Sequence, residues 1–198
     1  MNKAKKLFDE IHPLFLRYEP KMEHLEQMPE RGIRDVLDKN SWGYYQFITA
    51  FIKEKKPKQI VELGGAMGVA CVAMLSELQR DSHLYSITLE EGGLEFSFLT
   101  REYPNFTPVI GDDLDLAVWP KECQLEDTDM WFLDSLHTRE QLTKELELYK
   151  PFFKKGAVVF FDDIKMPELY PVWLDVKWDK HDVSILHQPH GFGMAVAT

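Results

Sequence analysis

The sequence predicts one doubly wound α/β fold: a mostly parallel seven-stranded sheet with an antiparallel C-terminal hairpin and an N-terminal helical appendage. Three observations carry this. Apolar runs of strand length alternate with segments of helical period from residue 58 to residue 163, and strands joined by helices in that way pair in parallel with helices on both faces. The first strand runs into a glycine-rich turn, 64–68. Each of the first five strands closes on a carboxylate.

In chain order, Leu7, Ile11, Leu14 and Phe15 fall at helical spacing, and Pro13 and Pro20 divide the first forty residues into short helical pieces. Residues 1–40 read as a helical cap and 41–198 as the sheet domain. From Ser41 to Lys56, Trp42, Tyr45, Phe47, Ile48, Phe51 and Ile52 recur at three and four, with Ser41 as an N-cap and Pro57 beyond the end. KQIVEL (58–63), HLYSITL (83–89), TPVIG (107–111), DMWFLD (129–134) and AVVFFDD (157–163) are the five strands, the last being the richest in β-branched and aromatic residues and so central. Helices are expected at 69–78, 93–103 and 138–153, and a broken one around ELYPVWLDV. VSILH (183–187) and GFGMAVA (191–197), separated by Gln188 and Pro189, read as the closing hairpin.

Composition narrows the function. The 23 basic and 33 acidic side chains leave a formal charge of −10, which argues against nucleic acid and anionic membrane as partners, since both recruit cationic surface. The acidity lies in the body of the domain: residues 1–60 carry +3 and residues 61–198 carry −13. Cys71 and Cys123 are the only cysteines and lack CxxC spacing, so neither a disulfide framework nor a zinc site is expected. No apolar run approaches membrane-spanning length and the N-terminus lacks a continuous apolar segment. A cytoplasmic protein is expected.

The strand ends hold the chemistry, because ligands of such sheets bind outside the carboxyl ends of the strands. In order these ends carry Glu62, Gly64, Gly65 and Gly68; Glu90; Asp112 and Asp113; Asp134 and His137; and Asp162 with Asp163. A single acid at such a place is an N-cap or a solvated loop residue, but five in succession repel one another. Two carboxylates about 4 Å apart cost roughly 4 kcal/mol at an effective dielectric of 20. A cationic ligand, a metal ion or raised pKa values relieve that repulsion. The turn fails the dinucleotide pattern G-x-G-x-x-G at Ala66 and Val69. Glu62, Gly64 and Gly68 suit a ligand with a positively charged amino-acid portion and no phosphate.

These residues resemble the class I S-adenosylmethionine-dependent methyltransferases over roughly 41–165, and are closest to the catechol O-methyltransferase-like and cephalosporin-biosynthesis-like members. VELGGAMGVACVAML is similar to the motif that lines the methionine part of the cofactor, with Ala66 in place of the commonest glycine. The resemblance implies a Rossmann-like fold, with 41–198 as the cofactor-binding domain. It places Glu62, Gly64, Gly65 and Gly68 around S-adenosylmethionine, Glu90 at the ribose hydroxyls, and Asp112 or Asp113 beside the adenine. The segment 131–164, WFLDSLHTREQLTKELELYKPFFKKGAVVFFDDI, resembles the divalent-metal-dependent members. On that resemblance Asp134, Asp162 and Asp163 are the metal carboxylates. The three also suit a hard ion such as Mg²⁺.

Adjacent strand residues point to opposite faces, so Asp162 and Asp163 share one ion only if the strand ends between them. Otherwise Asp162 alone faces the crevice and Asp163 caps the segment beginning at Ile164. His137, where the catechol-type enzymes carry lysine, is either the base that takes a substrate proton, working beside Asp134, or a helix-cap residue. His181, His187 and His190 read as hairpin and surface residues; Trp42 or Trp173 is a candidate wall for the substrate. The leading expectation is O-methylation of a small-molecule acceptor assisted by a divalent cation, with the N-terminal helices and 164–182 covering the site. A homodimer is possible through the amphipathic N-terminal arm. The alternatives are a non-catalytic cofactor-binding or scaffold protein of the same fold, and a nicotinamide-dependent oxidoreductase.

Overall fold

Strict alternation along the strands generates a three-layer structure. Ile60, Leu84, Phe106, Met130, Phe132, Val158, Phe160, Phe192 and Met194 are buried on one face of the sheet, and Val61, Leu63, Tyr85, Ile87, Val109, Trp131, Leu133, Val159 and Phe161 on the other. Sheets buried on both sides need such two-faced strands. The computed structural model describes residues 2–21, 42–66, 68–89, 93–187 and 189–198. Its strands are β1 (Gln59–Leu63), β2 (His83–Thr88), β3 (Phe106–Ile110), β4 (Met130–Leu133), β5 (Val158–Asp162), β6 (Asp179–Asp182) and β7 (Phe192–Val196). Their spatial order is β3-β2-β1-β4-β5-β7-β6. β1 to β5 pair in parallel, while β7 runs antiparallel to both β5 and β6.

The helices are α1 (Lys3–Ile11), α2 (Trp42–Lys55), α3 (Val69–Leu75), α4 (Gly93–Glu102), α5 (Arg139–Tyr149) and α6 (Tyr170–Asp175). The first four pack on the face of Phe160 and Phe132, and the last two on the face of Trp131 and Phe161. Strand order therefore reverses between β1 and β4, and the crevice of a doubly wound sheet opens at that switch point. α5 is preceded by Thr138, whose hydroxyl accepts from the Gln141 amide at 3.2 Å and so caps the helix. No helix among the described residues is long and apolar enough to cross a membrane.

Two expectations need correction. The sixth strand is not 183–187. It is Asp179–Asp182, and Ser184–Leu186 form a 3₁₀ turn leading to β7. β6 is polar because it is an edge strand with half-exposed side chains, whereas the apolar Val183 and Leu186 are buried by the turn. The described part of the N-terminal stretch also lies away from the strand ends that carry the acids. Asn2 Nδ2 donates to the Lys180 carbonyl at 2.7 Å, and the Lys3 amide to Asp179 at 3.2 Å. Asp179 pairs with Val196, beside the start of β5, so α1 covers the sheet edge at the opposite end, with Phe8 against Phe47 and His181. The rest of the expected cap, 22–40, lies outside the described residues.

Candidate functional site

Register alone brings the site together. Leu63 pairs with Leu133 and Leu133 with Phe161, so β1, β4 and β5 end at one level. Asp134 and Asp162 come directly after those last pairs, as neighbours. Antiparallel pairing of Asp162 with Phe192 brings the turn before β7 to the same edge. The glycine turn closes the other side: the Gly64 and Gly65 amides both donate to the Ile87 carbonyl, at 3.0 and 2.8 Å.

His137 bridges two of the aspartates. Its Nε2 lies 3.2 Å from Asp134 Oδ1 and its Nδ1 3.3 Å from Asp163 Oδ2. A neutral imidazole carries one N–H, so one of these nitrogens can take up a proton. Asp163 sits just past β5 with a φ of 53°, a left-handed conformation that aspartate tolerates better than most residues. This turn ends the strand between the two acids, which is the condition for Asp162 and Asp163 to face one centre. His187 Nε2 is 3.3 Å from Asp163 Oδ1 and 3.7 Å from Asp162 Oδ1.

The acids strain one another electrostatically. Burial, with the charges of Glu62 and Asp163 behind it, pushes the Asp134 carboxyl well above the usual carboxylate range. Asp162 is raised in the same way by burial and by the Asp134 and Asp163 charges, with His187 acting against the rise. Asp162 Oδ1 is buried without a hydrogen-bond partner. Such a cluster could hold a cation, which would offset the repulsion.

Other expected residues are placed around this centre. Glu62 points to the α3 side of the sheet, where Cys71 Sγ donates to it at 2.8 Å and Ser86 Oγ donates at shorter range. Its second oxygen, Oε1, is buried with no partner, and burial raises its pKa. Asp112 is exposed and accepts from the Leu114 amide at 2.9 Å. Asp113 lies against α5: its Oδ1 accepts from Gln141 Nε2 at 2.6 Å and its carbonyl from the Tyr149 hydroxyl at 2.6 Å. Glu90 falls outside the described residues. Trp173 is 4% exposed and packs edge-on against Phe161 at 5.3 Å, a core position and not an open wall.

His187 is the clearest correction, since it was expected at the surface and is buried among the aspartates. The HQPHG segment carries turn residues immediately before β7, and the antiparallel partner of β5 must begin at the level of Asp162. That topology was the signal available for it. Tyr44 is the other residue that sequence reasoning missed; its ring lies 4.8 Å from that of His187.

Residues 61–164, just over half of the chain and the stretch from β1 through the end of β5, match the family described as a methyltransferase domain. The chain belongs to this methyltransferase family. No curated protein sequence matches it. Among solved structures, the methyltransferase is similar to the O-methyltransferase TomG from Streptomyces achromogenes, involved in tomaymycin synthesis and solved with SAM. That match has 17% identity and a TM-score of 0.65, and covers 100% of both chains. It is also similar to the O-methyltransferase from Bacillus cereus solved with SAH, at 14% identity and a TM-score of 0.61 over 93% of this chain and 100% of that one. At these identities the likeness shows a shared fold.

A second acidic cluster ties the loop after β3 to the loop after β4. Gln141 Nε2 bridges Asp113 and Glu145, at 2.6 and 2.9 Å, and the Ser135 hydroxyl donates to Glu145. Burial first, with the Asp113 charge adding to it, pushes Glu145 up to about 7. The folded chain therefore holds a proton there that the unfolded chain has lost between about pH 4.5 and 7, and stability contributed by this group falls as pH rises through that window. Glu145→Gln is expected to remove the slope and to stabilise the protein at pH 8 by about 1–3 kcal/mol. Chemical denaturation at pH 5 and pH 8 measures this, and an unchanged difference between the two values contradicts it.

Proposed function

We propose that this methyltransferase transfers a methyl group from S-adenosylmethionine to an oxygen of a small-molecule acceptor, with a divalent cation held by Asp134, Asp162 and Asp163. The observation that carries the reading is the convergence of these acids and His137 at the switch point of the sheet, beside the glycine turn. The residues fit both groups. Glu62 Oε1 is a buried acceptor without a partner at the base of the turn, suited to a cationic amino-acid moiety, and Asp162 Oδ1 is the same for a cation. The solved O-methyltransferases of similar fold, one with SAM and one with SAH, support the choice of cofactor and of oxygen as acceptor.

When bound, the cofactor supplies an electrophilic sulfonium methyl and the cation a Lewis acid that lowers the pKa of a hydroxyl near it. The chain supplies the rest. His137 takes the hydroxyl proton on the nitrogen that lacks one. With that proton removed, the acceptor oxygen would be the nucleophile toward the methyl group that the cofactor would supply. Asp134 and Asp163 orient the ring of His137 and stabilise the imidazolium that results. The chain's own share of the acceleration would come from positioning the acceptor oxygen in the crevice between β1 and β4.

Calorimetric titration with S-adenosylmethionine and S-adenosylhomocysteine is the test. One site per chain is expected for both ligands. Absence of binding to folded protein removes the proposal, and a scaffold protein of the same fold would bind without turning over any hydroxyl acceptor.

A further inference from the structure

We propose that His187 supplies a nitrogen ligand to the cation of this site, and that the ion it selects is a first-row transition ion such as Co²⁺ or Mn²⁺ in preference to Mg²⁺. The inference rests on the cation reading above and extends it to a residue outside the strand-end acids.

His187 Nε2 and one carboxylate oxygen each from Asp162 and Asp163 all lie within 4.8 Å of one another, and all three residues are buried. Ligands about 2.1 Å from one ion stand at most about 4.2 Å apart. His187 Nε2 stands 3.7 Å from Asp162 Oδ1 and 3.3 Å from Asp163 Oδ1, inside that span. Asp162 Oδ1, buried and without a hydrogen bond, is the independent sign that this concavity lacks a partner. The backbone holds the histidine in place: its amide donates to the Ser184 carbonyl at 3.1 Å and its carbonyl accepts from the Gly191 amide at 3.1 Å. Its ring packs beside Tyr44 at 4.8 Å.

The donor set decides the ion. Mg²⁺ favours oxygen ligands and keeps several waters, whereas imidazole nitrogen favours later divalent ions. A site of the Asp134, Asp162 and Asp163 carboxylates with one buried imidazole gives up the all-oxygen shell that suits Mg²⁺. His137 is set apart from this role by exposure: its side chain is 38% exposed, whereas Asp162, Asp163 and His187 are all buried.

The test uses the full-length protein stripped of metal. Mn²⁺ and Mg²⁺ are titrated by calorimetry, and bound Mn²⁺ is examined by pulsed electron paramagnetic resonance for the hyperfine coupling of a directly bound nitrogen. Wild type is expected to bind Mn²⁺ at least about tenfold more tightly than Mg²⁺ and to show the coupling. His137→Ala should keep the coupling. His187→Asn and His187→Gln should lose it, with Mn²⁺ affinity falling about 10–100-fold and Mg²⁺ affinity changing much less. Circular dichroism checks that each variant folds, and the wild-type and His137→Ala spectra decide the matter without them. Absence of nitrogen coupling in wild type, or its loss in His137→Ala with retention in the His187 variants, overturns the proposal. Tight binding through oxygen alone would leave the cation reading standing and remove only His187, whereas binding of neither ion removes both.

Discussion

Asp162→Asn is expected to abolish cation-dependent methyl transfer while making the ligand-free protein more stable. Asp162 ends β5 level with Asp134 and next to Asp163, is 9% exposed, and leaves Oδ1 without a hydrogen bond. Its pKa is raised by burial and by the two neighbouring carboxylates. A carboxyl whose pKa is higher folded than unfolded weakens the fold as pH rises from about 4, so the penalty is largest in mild alkali. The amide has nearly the same shape and no charge to desolvate. At pH 8 the variant should gain about 1–2 kcal/mol, read as a rise of roughly 2–8 °C in Tm. If Asp162 holds the proposed cation, the same change removes a ligand, and kcat/KM should fall by at least about 100-fold. Added cation should then raise the Tm of wild type but not of the variant. A variant that is destabilised and still responds to the cation would show that Asp162 serves the fold and not the site.

The second large effect lies in the turn. Gly64 has a φ of 99°, and a Cβ there would run into the carbonyl of Asp134 and the Cα of Ser135. Both obstacles are backbone, so no rotamer change relieves them. Gly64→Ala is expected to force apart the ends of β1 and β4, where the Asp134 amide donates to the Leu63 carbonyl at 2.9 Å. The cost combines left-handed strain with the overlap and should reach about 3 kcal/mol or more. Cofactor affinity and activity should fall together, because the separated strands carry Glu62 on one side and Asp134 on the other. At Gly65 the added Cβ would meet the hydroxyl of Ser86, a side chain that can turn away. Gly65→Ala should therefore be the milder change, and Ser86→Ala should partly rescue it. Equal damage from the two alanines, measured by denaturation and S-adenosylhomocysteine titration, would count against the backbone explanation.

Much of the sheet was legible in the sequence because strands buried on both faces have to be apolar nearly throughout, as QIVEL, MWFL and VVFFD are. β6 was misplaced for the converse reason. An edge strand needs no apolar face, and Asp179–Asp182 has none, so it left no pattern to read. The strand-end acids were visible one by one, as punctuation between a strand and the next segment. Asp112 and Asp113 looked alike in this respect, yet one is solvated and the other is clamped by Gln141 and Tyr149.

The sequence by itself determined that five strands end in carboxylate and that a glycine turn comes after the first, because those features are local and periodic. Only the tertiary structure decided which acids meet. Strand register aligned Asp134 with Asp162, and the left-handed turn at Asp163 let two adjacent residues face one centre. The antiparallel return of β7 delivered His187 from the far end of the chain. Convergence of this kind depends on pairing between distant segments, and no window of the sequence records it.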